Sequence, residues 1–220
     1  MPKVKYSSQK TTYFSVLADG QFHQSVTEGT EGAERREYET SDGTKGVKYE
    51  LKAESITGVL GAVSVFSGNY GKNILIQFKK LEKDDEDVVI SLSANNNFGE
   101  DFLKKLPNID VEKEVTLSPY AFEDEKGKNR KGISIVQEDK KIASFYSKEN
   151  KKTKKWDVIN GYPEPEGDTK KFDADDWKSF FSDARKFMLK EFAKHPLFVE
   201  ELVTSESEEV DKAEETYAKF

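Results

Sequence analysis

The chain has 220 residues, 35% hydrophobic and 35% charged, with no cysteine and a formal net charge of −7. The missing thiols exclude disulfides, thiolate zinc sites and cysteine nucleophiles, and the modest apolar content predicts a small core with long solvated loops. No apolar core follows Met1-Pro2-Lys3-Val4-Lys5 and no run of about 18 apolar residues occurs, so neither a standard export signal nor a membrane-spanning helix is expected.

Through about residue 150, short β-branched and aromatic runs alternate at period two between Gly, Asn or charged turns, the pattern of an antiparallel sheet or barrel. Tyr13 to Ala18 is the first run. The rest of the first 45 residues, including the Gly/Glu stretch Thr27 to Glu34, reads as an elaborated first strand and loop. Gly46 to Lys52 alternates, which places Val47, Tyr49 and Leu51 inside and the charges outside. Gly58, Gly61, Gly68 and Gly71 then predict a strand bent by bulges or a barrel corner. Lys72 to Leu81 and Val88 to Ser93, joined by the acidic turn Lys83 to Asp87, form a hairpin with Ile74, Ile76 and Phe78 on one face. Asn97 to Leu106 reads as a short helix ended by Pro107. Three more strands are expected at Glu114 to Phe122, Gly132 to Gln137 and Lys141 to Ser147.

Two prolines and two glycines between Gly161 and Asp168 predict a linker. Beyond it, Trp177, Phe180, Phe181, Ala184, Phe187, Met188 and Phe192 recur at helical spacing behind Asp173, Asp175 and Asp176, giving a helix from Ala174 to Lys194, closed by Pro196. The expected organisation is a β-barrel domain over residues 1–160, a linker over 161–170, a helix within 171–199 packed on the barrel, and a flexible acidic tail over 200–220. That tail holds eight acids against two bases. The remaining 33 bases and 34 acids leave the body nearly neutral, so local basic patches decide what it binds.

Residue patterns for catalysis are missing. His23 and His195 are the only histidines, neither in a metal-ligand spacing, and there is no phosphate-binding Gly-rich loop and no Gly-x-Ser-x-Gly. Asp84 to Asp87 and Asp173 to Asp176 read better as a turn and a helix start than as cation sites. A binding protein without catalytic residue, metal or cofactor is therefore expected.

Lys148, Lys151, Lys152, Lys154, Lys155 and Trp156 follow a strand that ends Phe145-Tyr146, and this mixture suits unpaired nucleic acid. Cations track phosphates, while flat rings stack on exposed bases. The alternative is a solvated loop. Strand parity turns Tyr120 and Phe122 outward if Pro119 does not break the phase, just before Lys126, Lys128, Arg130 and Lys131; otherwise both rings fold under the C-terminal helix. Tyr70, Lys72, Lys79, Lys80 and Phe98 are weaker additions. The acidic run ends on Phe220, a ring beside a free carboxylate that a basic apolar pocket on another protein can capture.

Lys72 to Ser93, the passage Leu103-Lys104-Lys105-Leu106-Pro107-Asn108-Ile109-Asp110 leading into Glu114 to Tyr120, the strands Gly132 to Ser147 and the tail to Phe220 together resemble the single-stranded-DNA-binding proteins of tailed bacteriophages. The likeness covers most of the chain after about Gly46. It departs in the dilute tail, where Lys219 precedes the terminal ring, and in the first 45 residues. The resemblance implies an OB-like antiparallel barrel with a flanking helix and acidic tail. It also implies sequence-independent binding of single-stranded DNA in replication or recombination, replication proteins recruited through the tail, a possible homodimer, and the cytoplasm of an infected bacterial host. A protein-protein adaptor and an acidic DNA mimic are the alternatives.

Overall fold

Four strands precede the glycine-rich segment: β1 (Thr11–Val16), β2 (Phe22–Val26), β3 (Glu34–Glu39) and β4 (Lys45–Ala53). The computed structural model describes residues 11–40, 43–68, 71–79 and 86–202. The glycine-rich segment itself is one 13-residue strand, β5 (Ile56–Gly68). Its ladder shifts register between Leu60 and Ala62, and such a bulge bends a strand. The first half of β5 therefore pairs on one side with β8 (Glu114–Glu123), and its second half on the other with β6 (Gly71–Phe78).

The chain continues through β7 (Asp87–Ser93), helix α1 (Asn97–Lys105), β9 (Asn129–Gln137) and the two-residue β10 (Lys140–Lys141). Ten strands form one sheet in the order β10-β9-β8-β5-β6-β7-β1-β2-β4-β3. A separate hairpin pairs β11 (Ser147–Glu149) with β12 (Trp156–Val158), and α2 (Ala174–Phe192) follows.

The protein is mainly β, as the alternating runs predict, but the expected antiparallel OB-like barrel needs correcting on two counts. β1 runs parallel to β7, so the sheet is mixed. Nor does the sheet close, and the reasons are local. The outer edge of β7 is taken by β1. The outer edge of β9 is taken at its C-terminal end by β10 and, around Ile133, by α1: the Ile133 N–H donates to Asp101 Oδ2 at 2.9 Å and its carbonyl accepts from Lys105 Nζ at 2.6 Å. Covering an edge in this way removes it from further strand pairing.

Buried side chains of β5 to β9 (Leu60, Val63, Ile74, Ile76, Ile90, Leu92, Leu117, Ile133, Ile135) meet Phe98, Phe102 and Leu103 of α1 in one core. Asn96 caps α1 by accepting from the Gly99 N–H. Asp173 caps α2 in a reciprocal box with Asp176, the arrangement that satisfies two orphan helix N–H groups. The C-terminal half of α2 joins the core through Met188 and Phe192. Its N-terminal half instead carries Trp177, Phe180 and Phe181, half-buried or exposed, with Trp177 and Phe181 stacked at 5.8 Å.

After α2 the chain returns to the free edge of β5: the Val63 N–H donates to Leu197 O and Val63 O accepts from the Val199 N–H, both at 2.9 Å. Leu202 then lies on the other face of the sheet, against Leu75 and Val89.

Three further expectations change. Among the described residues, the first 45 positions hold three strands rather than one. Residues 142–146 are not a strand; they run past the end of α1, where the Phe145 N–H donates to Lys104 O. The parity of β4 is inverted, since Val47 is 42% exposed while Glu50 is 1% exposed. Glu50 is buried because its strand lies between β2 and β3, which bring a histidine and an arginine onto it.

Candidate nucleic-acid interface

Alternation along β8 buries Val115, Leu117 and Pro119 and turns Thr116, Ser118, Tyr120 and Phe122 to the other face. Pro119 leaves this phase intact for two reasons. Its partner Ile133 directs N–H and C=O away toward α1, so β9 asks no hydrogen bond of the proline. The β5 ladder also ends at Leu117, leaving a free edge, where proline is tolerated.

The Tyr120 and Phe122 rings lie 5.8 Å apart, and Phe122 is 56% exposed. Gly132 stands opposite Tyr120, and a Cβ there would fall 2.5 Å from the Tyr120 hydroxyl. Burial, with the nearby Asp101 charge, raises the Tyr120 phenol above its usual range, so the ring stays neutral.

Arg130 sits opposite Phe122 but donates to Asp124 Oδ2 at 2.8 Å. Asp124 also accepts the Lys126 and Lys128 N–H groups. The backbone bond from Lys128, then the side-chain bond from Arg130, hold its carboxyl below the usual range. Lys126 and Lys128 project from this turn, exposed. Lys131, paired with Ala121, falls on the opposite face from the rings.

The β11–β12 hairpin is the second patch. Asn150 organises its turn: its side-chain oxygen accepts the Lys152 and Thr153 N–H groups, and its amide donates to Asp157 at 3.0 Å. The register sets Lys148 beside Asp157 and Glu149 beside Trp156, so Trp156 and Val158 share a face. Trp156 is 68% exposed. Lys154 lies 3.8 Å from Glu149. Among the described residues no carboxylate lies within ion-pair distance of Lys148, Lys151, Lys152 or Lys155, all exposed. The hairpin is anchored at its base by Ile159, whose N–H donates to Tyr146 O at 3.1 Å.

Tyr146 itself corrects the expectation. It is 4% exposed, enclosed by Phe145, Tyr162 and Phe187, so its ring is a core residue with no face left for a base. Phe98 is likewise buried, at 4% exposure. Lys72 and Lys79 are exposed at the two ends of β6, away from both patches, and Lys79 lies 3.7 Å from Glu112. Tyr70, Lys80 and Phe220 lie outside the described residues.

One constellation went unread in the sequence. His23, 2% exposed, places Nδ1 3.1 Å from Glu50 and Nε2 2.9 Å from Asp19. Arg36 donates to both Glu50 oxygens at 2.7 and 2.8 Å. Burial alone would lower the His23 pKa, but the bonds to Glu50 and Asp19 outweigh it and raise it. Burial would raise Glu50, yet His23 and Arg36 bring it down to about 2. The readable signal was Asp19-Gly20 between two apolar runs, a hairpin turn. Among the described residues no three His, Asp or Glu side chains are placed to hold a metal ion, and no helix is long and apolar enough to cross a membrane. Comparison with family models, curated proteins and solved structures finds no match to this chain.

Proposed function

We propose that this protein binds single-stranded DNA without sequence preference, using the lysines and Trp156 of the β11–β12 hairpin together with the Tyr120–Phe122 face. The observation that carries this reading is the hairpin, which combines four lysines that have no carboxylate partner among the described residues with a tryptophan that is 68% exposed. Free cations release counterions from phosphates, and an exposed indole stacks on any base. The strand order supports the same reading. β5 is bent and flanked by both β6 and β8, with α1 between β7 and β8, and we read this order within the open, mixed sheet as compatible with an OB-type arrangement. The acidic run to Phe220 would recruit replication proteins, and the role is taken to be non-enzymatic.

A titration of fluorescent oligothymidine and of a duplex of equal length, at two salt concentrations, tests this. Oligothymidine should bind far better, with affinity falling steeply as salt rises. Trp156→Ala should cost about 1–3 kcal/mol of binding, and Lys151, Lys152, Lys154 and Lys155 replaced together by Ala should flatten the salt dependence. Equal duplex binding, or none to either, would favour the second reading, an adaptor that docks proteins on the half-buried Trp177 and Phe180 and the exposed Phe181 of α2.

A further inference from the structure

The turn between β1 and β2 does more than reverse the chain. Gly20, at φ +75°, presses against the free edge of β8 so closely that a Cβ would stand 2.2 Å from the Ala121 nitrogen and 2.5 Å from the Tyr120 carbonyl carbon. That edge has already lost β5, whose ladder stops at Leu117. The turn is thus what buttresses the stretch of β8 that presents Tyr120 and Phe122. Its neighbour Asp19 is held by His23 Nε2, and His23 is fixed from behind by Glu50 and Arg36.

We propose that Asp19 and His23 are positioning residues for Tyr120 and Phe122: protonated His23 ties the β1–β2 turn down, and the turn holds the edge of β8 that carries the two rings. The inference rests on the reading of those rings as a nucleic-acid contact. The tautomer decides which bond breaks. Imidazolium donates from both nitrogens, neutral imidazole from one. Glu50 is 1% exposed and bound in bidentate fashion by Arg36, so losing its His23 donor would strand a buried charge. Asp19 has a side chain 43% exposed and can turn to water. Neutral His23 therefore keeps Nδ1–H on Glu50, points a lone pair at Asp19, and releases the turn.

Charged groups surround His23 on three elements. On β4 they are Glu50, Lys52 and Lys48; on β3, Arg36 and Glu34; on the turn, Asp19. Lys52 is held 2.6 Å from Glu34. On the β8 side Tyr120 faces Asp101 and Arg130. Among these groups His23 is the imidazole, and its hydrogen bonds to Glu50 and Asp19 raise its pKa despite burial.

The experiment is a pH titration of the isotopically labelled full chain by NMR, following the His23 ring and the Tyr120 and Ala121 amides, alongside oligothymidine affinity at each pH. The two amides should shift with the His23 midpoint, and affinity should fall several-fold across it. Asp19→Asn, at a half-exposed site that keeps its hydrogen-bonding oxygen, should fold normally and erase both steps. Amides that ignore the His23 midpoint, or a step that survives Asp19→Asn, overturn the proposal. So does an affinity without a step at that midpoint. If amides and ring titrate together but no oligothymidine binds at any pH, the positioning stands and the DNA-binding reading falls.

Discussion

Two halves of one sheet hold themselves together by different physics. From β5 to β9 the strands sandwich aliphatic side chains against α1 and α2, with Leu60, Ile74, Ile76, Leu117 and Ile133 fully buried. From β2 to β4 Phe22 still joins that core, but the neighbouring buried side chains are Glu50 and His23, closed by Arg36. An apolar core tolerates any solvent condition that keeps water costly to apolar surface, whereas an ionic one depends on protonation and on every partner being present. The difference locates sensitivity to pH in the N-terminal strands and sensitivity to volume in the rest.

Removing Phe102, which is 0% exposed, should break the apolar half hardest. Phe102→Ala should cost about 3–5 kcal/mol, read as a lower denaturation midpoint with little dependence on pH. Glu50→Gln keeps the shape but removes the negative charge facing His23 and Arg36 and turns one of its two acceptor oxygens into a donor, and should cost about 1.5–3 kcal/mol. Its pH dependence sharpens the contrast. Glu50 has its pKa depressed to about 2, so its contribution is present above about pH 4.5 and is lost as pH falls toward 2. His23 has its pKa raised, so its contribution is full below about pH 6.5 and is lost as pH rises through the folded value. Wild type should thus be most stable between about pH 4.5 and 6.5 relative to Glu50→Gln, and a stability difference that is flat with pH would refute the ionic assignment.

Smaller effects are expected at the seam and at the surface. Gly20→Ala should lose about 1–2 kcal/mol from its left-handed backbone alone, more if β8 cannot retreat, and should weaken protection of the Ala121 amide in hydrogen exchange. Replacing Lys151, Lys152, Lys154 and Lys155 by Ala should move thermal stability by less than about 0.5 kcal/mol while still reducing DNA binding. A loss of fold would show that the hairpin supports the core.

The apolar half was legible because its signals are local. The alternation from Lys72 to Phe78, the bent glycine strand, the capped helix behind Asp173 and the outward parity of Tyr120 and Phe122 each follow from neighbours in the chain. The N-terminal half was not, because charged residues normally mark the wet face of a strand. In Lys48-Tyr49-Glu50-Leu51-Lys52 nothing within the segment says that Glu50 will meet His23 and Arg36. Tyr146 failed similarly: an aromatic beside a lysine run looks like a stacking residue until Phe187, 41 positions later, comes to rest on it at 5.7 Å. The parallel pairing that keeps the sheet open has no local signature at all.

That pairing also dictates an order of events as the chain is made. β1 leaves the ribosome well before its parallel partner β7, which comes about 75 residues afterwards, the two joined by Thr12 donating to Glu86 at 2.6 Å. Contacts of such long separation form late and slow folding. Until β7 emerges, β1 can only wait against β2, with one edge bare. Shortening the N-terminus into β1 would make the waiting permanent for the other strand, exposing the β7 edge of Val88 to Leu92, an apolar template for joining one chain to the next. A strand made early thus serves as the guard of one made much later.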